Sequence, residues 1–122
     1  MIPGDTEPSQ SPGGENVPPL VSMARVTFDR RELNRIFSLY GRMVAAGEWR
    51  DYAIDFLRDR AVFSVFRRTS EVPIYRIEKN PKLARRQGAY SVISATGLIV
   101  RRGHELDRVL RAIDKSLRVV AG

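Results

Sequence analysis

The chain has 122 residues, with 21 Lys and Arg against 14 Asp and Glu, one histidine and no cysteine. About 100–200 residues make one domain, and the missing cysteines exclude a disulfide framework, a Cys-ligated zinc or iron–sulfur site and a thiol nucleophile. A single histidine excludes a multi-histidine metal site within the chain, so neither a metal nor another cofactor is expected.

The charge is unevenly placed. Every Lys and Arg lies at Arg25 or later, whereas Asp5, Glu7 and Glu15 precede it, so residues 25–122 set 21 cations against 11 acids, a balance of +10. Arginine outnumbers lysine 18 to 3, and its planar fork suits bidentate recognition of phosphate or carboxylate. Residues 1–24 hold five of the seven prolines with Gly4, Gly13 and Gly14. A segment so poor in apolar residues cannot offset its chain entropy and reads as a disordered acidic tail. It lacks the basic start and apolar core of a secretory signal, and no run approaches the roughly 18 apolar residues of a membrane span. A cytoplasmic protein follows, with one basic domain over 25–122.

From Phe28 the pattern is helical. Leu33, Ile36, Phe37, Tyr40, Met43 and Val44 recur at i, i+3, i+4 and i+7. Asp29 with Glu32 forms an Asp version of the capping box, Phe28 can staple onto Leu33, and Gly47 supplies the stop. The spacing predicts a helix over 30–46. Two runs rich in aromatic and β-branched residues, 52–58 and 61–68, read as a hairpin across Asp59-Arg60. A third strand over 73–79 opens on Pro73, which suits a first or edge position. A fourth, 89–96, continues past Gly97 through Leu98-Ile99-Val100, with Gly97 as a bend or bulge. A second amphipathic helix, 104–119, carries Leu106, Val109, Leu110, Ile113 and Leu117 on one stripe, with Glu105 and Asp107 in the first turn. The expected fold is α+β: helix, three- to four-stranded antiparallel sheet, helix, with both helices on one sheet face.

In the hairpin, one alternation gives Tyr52, Ile54 and Phe56 and the other Ala53, Leu57, Val62 and Phe66, so neither face is cleanly polar. A single helical layer covers one face, which leaves Leu57, Val62 and Phe66 as a candidate interface for the folded-back tail or for a second copy in a homodimer.

The segments Phe28-Asp29-Arg30-Arg31-Glu32-Leu33, Tyr40 through Tyr52 with Gly47-Glu48-Trp49-Arg50 at its centre, Phe63-Ser64-Val65-Phe66-Arg67-Arg68, Tyr75-Arg76-Ile77-Glu78-Lys79 and Gln87-Gly88-Ala89-Tyr90-Ser91-Val92 resemble a small bacterial family, domain-of-unknown-function family 2794. The likeness covers essentially all of 25–120. It implies no activity, so no functional residue carries over. The order of elements also resembles double-stranded-RNA-binding domains, with Arg101-Arg102-Gly103 before the last helix. The chain departs from them in lacking a lysine-rich final helix and in carrying residues 80–89 before an extra strand.

The densest cationic stretch runs from Lys79 to Gly88 and includes Lys82, Arg85 and Arg86 with no acid. Clustered cations are what a phosphate backbone requires, because each neutralised phosphate releases condensed counterions. Two further pairs, Arg67-Arg68 and Arg101-Arg102, are candidates to converge on this loop. Trp49, Tyr75 and Tyr90 are candidates for stacking on bases, although aromatics at such spacing are more often core. Ser94 and His104 with an Asp have no surrounding catalytic motif, and no Walker loop, dinucleotide fingerprint or zinc spacing occurs. The sequence therefore points to a non-enzymatic module that binds the phosphates of RNA or DNA. Its alternative is a dimeric protein-interaction or regulatory factor whose charge serves solubility or an acidic partner.

Overall fold

The computed structural model of the chain describes residues 24–68 and 72–115. The expected tail falls on 1–24 and so lies, but for Ala24, outside the described residues.

Helix α1 spans Arg30–Ala45 and opens on the capping box: the Asp29 carboxylate accepts from the Glu32 N–H at 2.8 Å, and Glu32 Oε1 accepts from the Asp29 N–H at 2.8 Å. Its buried line is Glu32, Ile36, Leu39 and Met43. The expected stripe was therefore rotated slightly. Leu39 belongs at its centre, whereas Val44 keeps 40% of its surface. Beyond the helix, Gly47 takes a φ of 76°, and the Met43 carbonyl accepts from the Glu48 and Trp49 N–H groups. This turn folds Trp49 back beneath the helix end, where it is 4% exposed.

Five strands follow, not three or four: β1 (Asp51–Phe56), β2 (Ala61–Phe66), β3 (Tyr75–Lys79), β4 (Tyr90–Ser94) and β5 (Ile99–Gly103). They pair in chain order as an antiparallel meander. Gly97, at a φ of 89°, turns the chain between β4 and β5, with the Gly97 N–H on the Ser94 carbonyl and the Ser94 N–H on that of Leu98. A bend expected within one long strand is thus a hairpin turn between two. A register shift at Val92/Ile93 distorts the last pairing. The extra strand separates the topology from the helix, three strands, helix order of double-stranded-RNA-binding domains.

Helix α2 is shorter than the periodicity suggests, Leu106–Arg111. Its backbone then tightens to i→i+3 bonds through Asp114, a common way to satisfy the last carbonyls. Leu106, Val109, Leu110 and Ile113 are buried as expected, and residues 116–122 lie outside the described residues. Residues directly opposite in an antiparallel pair share a face, so Phe63, Val65, Ile77 and Val92 line one side of the sheet. They form a single core cluster with α1 and α2. Both helices therefore cover the same face.

On the opposite face, which neither described helix covers, Val62 and Ile93 are nearly buried. Register sets Glu78 between Val62 and Ser91, and Arg76 between Ser64 and Ile93. Glu78 pairs with Arg76 at 3.4 Å and with Arg60 at 3.7 Å. Charged side chains can lay their apolar stems over neighbours while their heads stay in water. An expectation drawn from the hairpin alone omitted this third strand, which makes the face mixed rather than apolar.

Candidate nucleic-acid interface

The cationic loop between β3 and β4 is a built turn. Asn80 caps a short 3-10 helix, Pro81–Leu83, by accepting from the Lys82 N–H at 3.1 Å. The Leu83 carbonyl gathers the N–H groups of Arg86, Gln87 and Gly88, and the Asn80 N–H reaches the Ala89 carbonyl at 2.7 Å to close the loop. With the backbone satisfied internally, Lys82, Arg85 and Arg86 stand in water.

Gly88 decides where this loop sits. Its φ is 98°, and a Cβ there would stand 2.1 Å from the Gly103 carbonyl carbon and 2.6 Å from the His104 nitrogen. Only glycine allows that approach, and it holds the loop against the end of β5. Arg102 reinforces the contact, donating from Nε to Ser91 Oγ at 3.0 Å and from a terminal nitrogen to the Gln87 side-chain oxygen. Beside it, Arg101, Arg102, His104, Glu105 and Arg108 line a cleft of about 260 Å³ between β5 and α2. Among the described residues, Lys82, Arg85, Arg86 and Arg101 make no ion pair.

Not all of the expected cations gather here. Lys79 turns inward: its ammonium donates to Glu32 Oε1 at 2.8 Å and to the Thr27 carbonyl at 3.0 Å, with 19% of its side chain exposed. The Tyr90 hydroxyl donates to the other Glu32 oxygen. Burial, then the bond to this carboxylate, pushes the Tyr90 phenol well above its ordinary 10.0. Lys79, Tyr90 and the capping Glu32 thus lock the start of α1 to β3 and β4. Glu32 was legible as a cap, but nothing local in the sequence marks its second and third partners.

Arg67 and Arg68 lie at the other end of the sheet. Ala61, Lys79, Tyr90 and Gly103 are aligned across the strands at the loop end, whereas Phe66, immediately before Arg67, pairs with Asp51. The five steps from Ala61 to Phe66 span roughly 17 Å. Arg67 faces Glu48 at 3.9 Å. Of the three arginine pairs expected to converge, Arg67-Arg68 is thus set apart, while Arg85-Arg86 lies beside Arg101-Arg102, whose two side chains leave β5 on opposite faces because Arg101 pairs with Val92 and Arg102 with Ser91. Arg108, on α2, joins them through the cleft, and Arg31 is near enough to Tyr90 to act on its phenol. Neither was a sequence candidate, because both are set by packing.

The stacking candidates are largely withdrawn from solvent: Trp49 is in the core, Tyr90 is held by Glu32, and Tyr75 packs against the core cluster. Ser94 pairs in register with Tyr75, and His104 follows Gly103, which pairs with Tyr90 at the far end of β4. Four residues, about 13 Å, separate these positions, so Ser94 and His104 do not meet. Of the candidate interface residues, Val62 is only 6% exposed. Leu57 is half-buried in the β1–β2 turn and Phe66 half-buried at the far end of β2, so the three are spread along the hairpin. Among the described residues there is no group of three His, Cys, Asp or Glu that could hold a metal and no helix long and apolar enough to cross a membrane.

Residues 26–110 match the model of a family described as "Protein of unknown function (DUF2794)". The chain belongs to this family. The match runs from just before α1 through most of α2, so the DUF2794 region contains both the cationic loop and the Glu32–Lys79–Tyr90 lock. No curated protein and no solved structure matches the chain.

Proposed function

We propose that this DUF2794 protein is a cytoplasmic, non-enzymatic module that binds the phosphate backbone of RNA or DNA through Lys82, Arg85, Arg86, Arg101 and Arg102, with Arg108 at the margin. The observation that carries this reading is the close packing of Gly88 on Gly103, which sets a loop of cations without ion pairs among the described residues beside Arg101 and Arg102. Loop cations with no acid partner among the described residues keep their charge for a ligand, and phosphate contacts of this kind supply affinity without base readout. The burial of Trp49 and the tethering of Tyr90 favour backbone contact over base stacking. The alternative, a dimeric interaction factor using Leu57, Val62 and Phe66, has less support because Val62 has little surface left to bury.

Binding of fluorescent RNA and DNA oligonucleotides across a salt series tests the proposal. Log affinity is expected to fall linearly with log salt, and the double variant Arg85→Ala/Arg86→Ala to reduce that slope by about one to two. Absence of binding at low salt would overturn it.

A further inference from the structure

At the end of the sheet remote from the cationic loop, a cavity of about 290 Å³ opens beneath the Gly47 turn. That is the small end of the range for ligand sites, roughly 300–1,000 Å³. Its floor is apolar, formed by Met43, Trp49 and Ile113, all nearly fully buried, with Ile74 alongside. Its rim is charged. Arg67 and Lys115 approach the same oxygen, Glu48 Oε1, at 3.9 and 3.3 Å, and all three side chains remain substantially exposed. The Ser94 and Thr96 hydroxyls complete the wall and lie 3.0 Å from each other.

We infer that this cavity is a binding site for a small organic monocarboxylate with an apolar, ring-sized body. An apolar floor with a few convergent polar groups is the ordinary construction of a small-molecule site. Among the described residues, two cations sharing one carboxylate leave a single unmatched positive charge at the rim, which suits a monoanion. A doubly charged phosphate would have to lie against Glu48. A ligand carboxylate between Arg67 and Lys115 would make charge-assisted hydrogen bonds and take over part of the role that Glu48 plays in its absence, while the ligand's apolar body fills the cavity beside Ile74 and the small edge of Trp49 that reaches it. The site is independent of the cationic loop, so nucleic-acid binding and ligand binding can fail separately.

Trp49 is the sole tryptophan of the chain and reports occupancy directly. The full chain is titrated with phenylacetate and with the neutral phenylacetamide, following Trp49 fluorescence and ligand-observed saturation-transfer NMR. Phenylacetate is expected to bind saturably with a dissociation constant on the order of 1 mM or tighter, and the amide about tenfold more weakly. Arg67→Gln and Lys115→Gln should each weaken the acid about fivefold, and Glu48→Gln, which removes the internal competitor, should tighten it about threefold. Arg67 is exposed and Glu48 and Lys115 are half-buried at the rim, and an unchanged melting temperature verifies the fold in each variant. Equal affinity for acid and amide, no saturable response up to about 10 mM, or weaker binding in Glu48→Gln would overturn the assignment.

Discussion

At the loop end of the sheet, Lys82, Arg85 and Arg86 stand in water without an acid partner among the described residues, while a few residues away Lys79 is drawn inside to Glu32. At the opposite end, Arg67 and Lys115 share Glu48 at the mouth of an apolar cavity. The same residue types thus occupy three different electrostatic situations. Charge density along the chain does not distinguish them. What does is the distance to an acid and the amount of water left around the pair, because a paired and desolvated cation contributes to the fold while an unpaired one keeps its charge for a ligand.

The comparison breaks most severely at glycine. Gly88→Ala should destabilise the protein by about 3 kcal/mol or more, since its Cβ meets backbone and its φ is left-handed. Gly97→Ala, equally left-handed but facing open space, should cost only about 1–2 kcal/mol. Denaturant unfolding measures both, and equal losses would mean that the Gly88–Gly103 contact does not anchor the loop.

Lys79→Met tests the inward cation. It leaves Glu32 buried without a counter-charge and should cost about 3 kcal/mol, the low end for breaking a buried pair, because Lys79 retains some contact with water. Lys82→Met, exposed on the open loop and without an ion pair among the described residues, should change stability by less than about 0.5 kcal/mol.

Tyr90→Phe should cost about 1–2 kcal/mol by removing the hydrogen bond to a charged carboxylate. It should also change the alkaline limb of the stability profile. The folded state holds the Tyr90 proton above the ordinary value of 10.0 at which the unfolded chain releases it. This contribution is therefore full below pH 10 and declines as pH rises above it. The phenylalanine variant should lose stability less steeply there, as seen in unfolding series from pH 8 to 11. Like Lys82→Met, Arg85→Ala/Arg86→Ala should change stability by less than about 0.5 kcal/mol, although this pair should have the largest effect on the salt slope of nucleic-acid binding.

Much of the framework was readable locally. Asp29 and Glu32 announced the start of α1, the Leu106, Val109, Leu110 and Ile113 stripe identified the inner face of α2, and the hairpin was visible without a glycine in its turn. The fifth strand was hidden because Gly97 can mark a bulge or a reversal equally well, and only pairing with β4 distinguishes them. In the candidate site, the cationic loop was legible as a run of charges, but Lys79 could not be separated from Lys82. Nor could Arg67-Arg68 be separated from Arg101-Arg102, because neighbourhood across a sheet depends on register.

By itself the sequence determined an α+β domain with two amphipathic helices, an excess of arginine and a cationic loop, since these follow from periodicity, capping chemistry and counting. Tertiary structure alone decided which cations face water, which one closes on a buried glutamate, and that a glycine at position 88 brings the loop to β5. Those outcomes rest on contacts between residues far apart in the chain, where burial and pairing distance, rather than residue type, set what a charge can do.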